Sequence, residues 1–183
     1  MLPEYEEKLN QEKEALQQNE ELIKKFKALS IGTATLVARF LELKGLKNVS
    51  VKWPNDVYVN DKKICGILLE GNVNEYLVIG VGLNVNQIKF DGDYRIEPTS
   101  MKIEMNKTIS LEELEVELFE FIFKHVNQVK FETNTLSFLE SHNYLKNKKI
   151  SAENITGICG GFSKDFGLKI DNKIVYSTEI KIF

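Results

Sequence analysis

Residues 52–70, Lys52-Trp53-Pro54-Asn55-Asp56-Val57-Tyr58-Val59-Asn60-Asp61-Lys62-Lys63-Ile64-Cys65-Gly66-Ile67-Leu68-Leu69-Glu70, are the stretch on which the reading of the fold turns. Asn48 to Lys52 reads as a short strand, closed by Pro54 and the turn-prone Asn55-Asp56. Val57-Tyr58-Val59, a turn at Asn60-Asp61-Lys62 and the apolar run from Lys63 then read as a β-hairpin. Asn72-Val73-Asn74 predicts a connecting turn, and residues 75–86 (EYLVIGVGLNVN) a third strand, apolar enough to be buried on both faces.

Working outward, residues 30–44 (SIGTATLVARFLELK) predict a helix that Gly45 stops. Its small residues Gly32, Ala34 and Ala38 allow close approach to a sheet. Downstream, residues 88–109 read as irregular. Ser110 followed by Glu113 is a capping box that opens an amphipathic helix with Leu111, Leu114, Leu118, Phe121, Ile122 and Val129 at helical spacing. A shorter helix is expected over 134–145. From 148 the chain changes to short β-rich runs separated by Gly, Asn and Asp, the rhythm of a small antiparallel β-barrel. Upstream, residues 4–28 are rich in Glu, Lys, Gln and Leu, with Leu9, Leu16 and Ile23 repeating every seven residues beside Tyr5 and Phe26. Two readings stand: a helix that buries one face locally, or a pairing helix whose seam Glu12 and Asn19 interrupt. The whole is α/β (α+β), divided as 1–29 charged helix, 30–146 central domain and 147–183 small β domain.

Bulk properties narrow the function. The 183 residues are 43% hydrophobic and 28% charged, which suits one folded domain with a real core. A net charge of −3 offers no basic surplus for nucleic acid, and the first stretch has no basic recognition face. No run is long and apolar enough for a membrane helix. Cys65 and Cys159 form no Cys-x-x-Cys pair, so a reduced, cytoplasmic protein is expected.

Three segments carry candidate chemistry. Trp53, Asn55 and Asp56 sit at a strand end, where ligands often bind and where Asn or Asp can fix a polar ligand or a metal; equally, they make a capped turn with Trp53 in the core. Lys63 enters an apolar strand, and alternation puts it on the face of Cys65 and Ile67, with Lys62 on that of Ile64 and Gly66. A lysine there can hold a carboxylate beside a phosphate, while Gly66 permits close backbone approach; the alternative is a solvated lysine beside a bulge. Gly80-Val81-Gly82-Leu83-Asn84 lacks the third glycine and the following helix of a dinucleotide fingerprint. Its glycines still admit a ligand, against which Asn84 could place an amide.

Taken together, KWPND, then Lys63-x-x-Gly66-Ile67-Leu68-x-Glu70, then Gly80-x-Gly82-x-Asn84 resemble the biotin protein ligase family over roughly residues 28–183. The resemblance implies a partial class-II-synthetase-like mixed sheet with packed helices and a small SH3-like C-terminal β-barrel. It implies ATP-dependent activation of biotin to biotinyl-5′-adenylate, then transfer to a lysine of a biotin carboxyl carrier protein. On it, Lys63 is the catalytic lysine and contacts biotin, with Gly66 and Ile67 beside the biotin. Asn55, Asp56, Trp53, Asn84 and Gly82 fall at adenylate or ATP positions, and Asp56 with Asn84 at a possible Mg2+ site. Biotin, ATP and Mg2+ are the implied ligands. No membrane and no nucleic acid partner is implied.

One departure matters. The residues before position 52 contain no Ser-Thr-Asn-type segment and no GRGR-x-x-R loop, and the chain's two arginines, Arg39 and Arg95, lie in no such motif. The exposed sheet edge that results is expected to be covered by the charged helix or by a second chain, for instance in a homodimer. Besides an active ligase, two readings remain open: a non-catalytic, truncated or engineered relative acting as a binding module, and a lipoate or octanoate transferase on the same fold.

Overall fold

Helix α1 (residues 28–43) owes its position to its own composition. In the computed structural model, which describes residues 7, 13, 17, 28–72, 76–126, 133–152, 154–176 and 179–183, all eight residues from 31 to 38 are buried. A helix buried all round must place small residues against its neighbours, and Gly32, Ala34 and Ala38 do so, with Ile31, Val37 and Leu41 fully enclosed. The buried hydroxyls of Thr33 and Thr35 donate back to Leu29 O and Ile31 O at 2.8 Å, so neither is orphaned. Gly45 ends the helix at φ +95°, with Gly45 N bonded to Glu42 O and Leu46 N to Leu41 O. That is the paired bonding of a Schellman cap, which needs the left-handed residue glycine supplies.

Four strands follow: β1 (Val49–Lys52), β2 (Asp56–Val59), β3 (Lys62–Asn72) and β4 (Tyr76–Leu83), in sheet order β1-β2-β3-β4. Asn60 and Asp61 both take positive φ, 50° and 62°, and so close the tight β2–β3 hairpin. Every strand pair is antiparallel, and parallel character is confined to two isolated bridges, Val51 with Asn143 and Lys63 with Pro98. The expected mixed sheet is therefore an antiparallel one among the described residues. Nor is β4 buried on both faces. It alternates, leaving Tyr76 61% and Val78 54% exposed, because no described layer covers the face on which they lie.

The segment read as irregular contains a short helix, α2 (Met101–Met105), capped by Ser100 Oγ accepting from Ile103 N. Helix α3 (Leu111–His125) begins at Ser110, whose Oγ accepts from Glu113 N. It buries Leu114 and leans Phe121 on Phe40 of α1, while Leu111, expected inside, is exposed. Helix α4 (Thr133–Ser141) is shorter than expected. Val129, the turn residues Val73 and Asn74 and nearly all of the charged stretch 4–28 lie outside the described residues; within that stretch, before Ala28 at the start of α1, only Glu7, Lys13 and Gln17 are described, each helical and exposed.

The tail forms β5 (Lys149–Ala152), β6 (Ile155–Phe162), β7 (Leu168–Ile170), β8 (Lys173–Val175) and β9 (Ile180–Ile182), in the order β8-β7-β6-β5-β9. All pairs are antiparallel, but the described strands make an open five-stranded sheet rather than a closed barrel. The segment between α4 and β5 and the loop before β7 are both bonded to the strand–turn region 51–53 of the first sheet. Val51 exchanges backbone hydrogen bonds with His142 and Tyr144, and the Trp53 indole N–H donates to Phe166 O at 3.0 Å. Cys65 and Cys159 are both free and buried, one in each sheet.

Candidate active site

The site is built on a break in strand alternation. Across β2 and β3, Val57 pairs with Cys65 but its neighbour Tyr58 pairs with Lys63, so Ile64 is an extra residue on β3. A bulge of this kind puts two consecutive residues on one side, and Ile64 and Cys65 are both buried, at 0% and 1% exposure. Lys63 is thereby turned to the opposite face from the one alternation predicts. It shares a face with Gly66, not with Cys65 and Ile67: a Cβ placed on Gly66 would lie 3.4 Å from Lys63 Nζ and 3.6 Å from Asp56 Oδ1.

Lys63 Nζ and Asp56 Oδ1 stand 2.6 Å apart, with Lys63 43% and Asp56 14% exposed. So open a pair contributes about 0–1 kcal/mol to stability; its consequence is positional. The Lys63 backbone is fixed independently. Its N–H donates to Glu97 O and its carbonyl accepts from Thr99 N, while Ile64 O accepts from Asn84 N. Asp56, Gly66 and Gly82 are direct cross-strand partners and so lie on one face. They form a shallow trough with the Lys63–Asp56 pair at one end and exposed Leu68 and Val78 towards the other.

The remaining candidates hold this frame. Asn55 bonds Ile67 twice: its Nδ2 donates to Ile67 O at 2.9 Å and its carbonyl accepts from Ile67 N at 2.8 Å. Asn84 donates through Nδ2 to Thr99 O at 3.0 Å and through its carbonyl caps Met101 N. Ile67 is 2% exposed and faces the core, and Trp53 is 1% exposed. For a metal, the donor set is one carboxylate, Asp56, already engaged by Lys63, and the amide of Asn84. Among the described residues no group of three or more His, Cys, Asp or Glu is placed to hold an ion. Mg2+ takes one or two carboxylates together with substrate phosphates, so these residues fit it only as the escort of a bound nucleotide.

Beside the trough lies a cavity of about 410 Å3, lined by Lys52, Trp53, Pro54, Asn55, Asp56, Tyr58, Lys63, Tyr94, Arg95, Ile96, Glu179 and Ile180. Lys52 and Arg95 were not singled out from the sequence. Lys52 shares the KWPND motif and is the cross-strand partner of Asp56, which was the available signal. Arg95 comes from a distant loop and carried none. Burial lowers the Lys52 pKa, with Asp56 opposing and Lys63 and Arg95 adding to the fall. Burial also raises the Tyr58 phenol, on which Asp56 and Tyr144 act in the same direction.

Residues 9–86 of the chain match the model of the Biotin/lipoate A/B protein ligase family. The bifunctional ligase/repressor BirA of Escherichia coli is 41% identical over 61 residues, 31% of this chain and 19% of that protein. Biotin–protein ligase 2 of Arabidopsis thaliana is 41% identical over 63 residues, 32% of this chain and 19% of that protein. A crystal structure of the biotin protein ligase from Aquifex aeolicus superposes with a TM-score of 0.75 at 25% identity, covering 86% of this chain and 75% of that one. The chain is thus similar to biotin protein ligases in sequence over about a third of its length and in fold over 86% of it. The matched stretch spans about a fifth of the length of these curated relatives.

Proposed function

We propose that this chain forms the lysine-bearing side of a biotin-activating site. There biotin and ATP give biotinyl-5′-adenylate and pyrophosphate, and the acyl group then passes to a lysine amine of a biotin carboxyl carrier protein, with AMP as the leaving group. The observation that carries this reading is the Lys63–Asp56 pair, 2.6 Å apart and facing a trough floored by Gly66 and Gly82. A cation aimed into a glycine-lined trough can sit between an acyl carboxylate and a phosphate. There it offsets the negative charge that develops during transfer. Asp56, once Lys63 turns to the ligand, is free to orient the incoming acceptor amine. Asn55 and Asn84 act through the backbone they hold, Asn55 on Ile67 and Asn84 on Thr99, and Trp53 as a fixed wall of the adjoining cavity. Mg2+ enters with the nucleotide. The biotin protein ligase of Aquifex aeolicus, which shares this fold, has been solved in complex with biotin and ATP, which supports the choice of ligands.

The test is calorimetric titration of the chain with a non-hydrolysable biotinyl-adenylate analogue. Lys63→Ala should weaken binding by about a hundredfold, the usual consequence of removing a charge-stabilising donor. No binding by folded wild-type chain would overturn the reading and favour a family fold used as a binding module. Competition by lipoate or octanoate better than by biotin would instead move the substrate to the other branch of the family.

A further inference from the structure

Helix α3 carries two apolar faces, and the fold uses one of them. Leu114 is buried, and Leu118, Phe121 and Ile122 pack on the core. On another side of the same helix Val116, Phe119 and Phe123 stand 58%, 66% and 71% exposed. Their spacing of three and then four residues sets them in one stripe. The Phe119 and Phe123 rings stack on each other, with centroids 5.9 Å apart. We propose that this stripe is the docking site for a basic amphipathic helix of another protein.

Charge selects the partner. α3 carries five glutamates against one lysine. Glu112 and Glu120 stand about one turn to either side of Val116, and Glu115 about one turn before Phe119, so all three border the stripe. Among the described residues, Glu117 alone of the five is in an ion pair, with Lys44. Bare apolar rings between uncompensated carboxylates fit a helix whose apolar face is bordered by lysine or arginine. A second copy set face to face on the same stripe would bring like charges together, which disfavours it. Residues 1–27 of this chain, with seven glutamates and five lysines, supply no cationic surplus either.

Position separates this surface from the trough. Phe121, on the inner face of α3, meets Phe40 of α1 with ring centroids 5.7 Å apart. α1 packs in the core that Cys65 and Ile67 share, whereas Gly66, beside Lys63, alternates away from Ile67 to the other face of the sheet. The partner therefore tethers the chain without closing the trough, and the inference does not rest on the adenylation reading.

The experiment follows the fluorescence anisotropy of a labelled synthetic helix of leucine and lysine, matched to α3 in length and with its leucines at helical spacing, as the full chain is added. A peptide with glutamate in place of every lysine is the charge control. The variants are Phe119→Ser, Phe123→Ser, Glu112→Gln combined with Glu115→Gln, and Phe183→Ser, an equally bare phenylalanine at the C-terminus. Circular dichroism confirms that each is folded. Phe119→Ser and Phe123→Ser should each weaken the lysine peptide by about tenfold or more, the loss expected of an aromatic anchor. The paired glutamine variant should weaken it by about threefold and flatten its salt dependence. Phe183→Ser should bind as wild type does. No binding of the lysine peptide by the wild-type chain, equally tight binding of the glutamate peptide, or equal weakening by Phe183→Ser would overturn the proposal. So would sedimentation showing a wild-type self-association that Phe119→Ser abolishes, since that assigns the stripe to a second copy.

Discussion

Gly66 and Gly82 of the four-stranded sheet and Gly157 and Gly161 of the five-stranded sheet are used in opposite ways. In the four-stranded sheet, a methyl group on Gly82 would meet only the Gly66 carbonyl at 3.6 Å, and one on Gly66 would reach ordinary contact with Lys63 and Asp56. Space remains on that face. In the five-stranded sheet the corresponding space is already filled. A methyl on Gly157 would overlap the Asp171 carboxylate, and one on Gly161 the Glu140 carboxylate at 2.5 Å. Those carboxylates are in use: Asp171 accepts from Ile158 N at 3.0 Å and Glu140 from Phe162 N at 2.7 Å. The second sheet thus closes Gly157 and Gly161 with the chain's own carboxylates, and the first leaves Gly66 and Gly82 open to a ligand. Motif glycines become informative only once it is known what stands over them.

That contrast can be broken most directly at Gly161, whose φ of +109° is a second obstacle to a side chain. Gly161→Ala should cost about 3 kcal/mol, from backbone strain together with the displaced Glu140, read as a lower urea midpoint. A midpoint unchanged from wild type would show that the crowding is not real. A smaller effect is expected on the other sheet. Gly66→Ala should leave the urea midpoint nearly unmoved but weaken the biotinyl-adenylate analogue by about tenfold, because the new methyl fills the space over Gly66 that the ligand would take. Loss of stability without loss of binding would reverse the assignment of that face.

The smallest effect separates the sheets through their two thiols. Burial pushes the Cys65 thiol up to about 12, with Asp56 acting in the same direction and Lys63 against it. Cys159 is also raised by burial, but hydrogen bonds involving Gly161 and Asn143 oppose the rise. A thiol whose folded pKa is raised contributes stability that is complete below its unfolded value, about 8.5, and is lost as pH climbs towards the folded value. Wild-type stability should therefore fall above about pH 9, and Cys65→Ala should flatten that fall more than Cys159→Ala does. Equal slopes in the two variants would mean that the thiols sit in equivalent surroundings.

Most of the architecture was legible because local signals agreed with it. Gly45 does end α1, Asn60-Asp61 does close the hairpin, Ser110 does cap α3, and the β-rich runs of the tail each become a strand. What was not legible depended on partners distant in sequence. Ile64 and Cys65 are both apolar, so nothing in their order marks the bulge that turns Lys63 towards Asp56. The apolar run of β4 looks the same whether one face or both are covered, and only the burial of its residues reveals the bare face. Arg95 and Glu179, 84 positions apart, reach one cavity through tertiary packing alone. Residue types in KWPND pointed to chemistry, but the hydrogen bonds show Asn55 and Asn84 engaged with backbone as well.

The bond from the Trp53 indole to Phe166 O gives the molecule a built-in optical probe. Trp53 is the chain's single tryptophan, it lines the cavity from the turn between β1 and β2, and its N–H is anchored in the loop before β7. Its emission therefore reports at once on the first sheet, on the second and on the cavity between them. Detachment of the C-terminal sheet would be visible as a shift to longer wavelength, without any label, while the site's own strands were still folded.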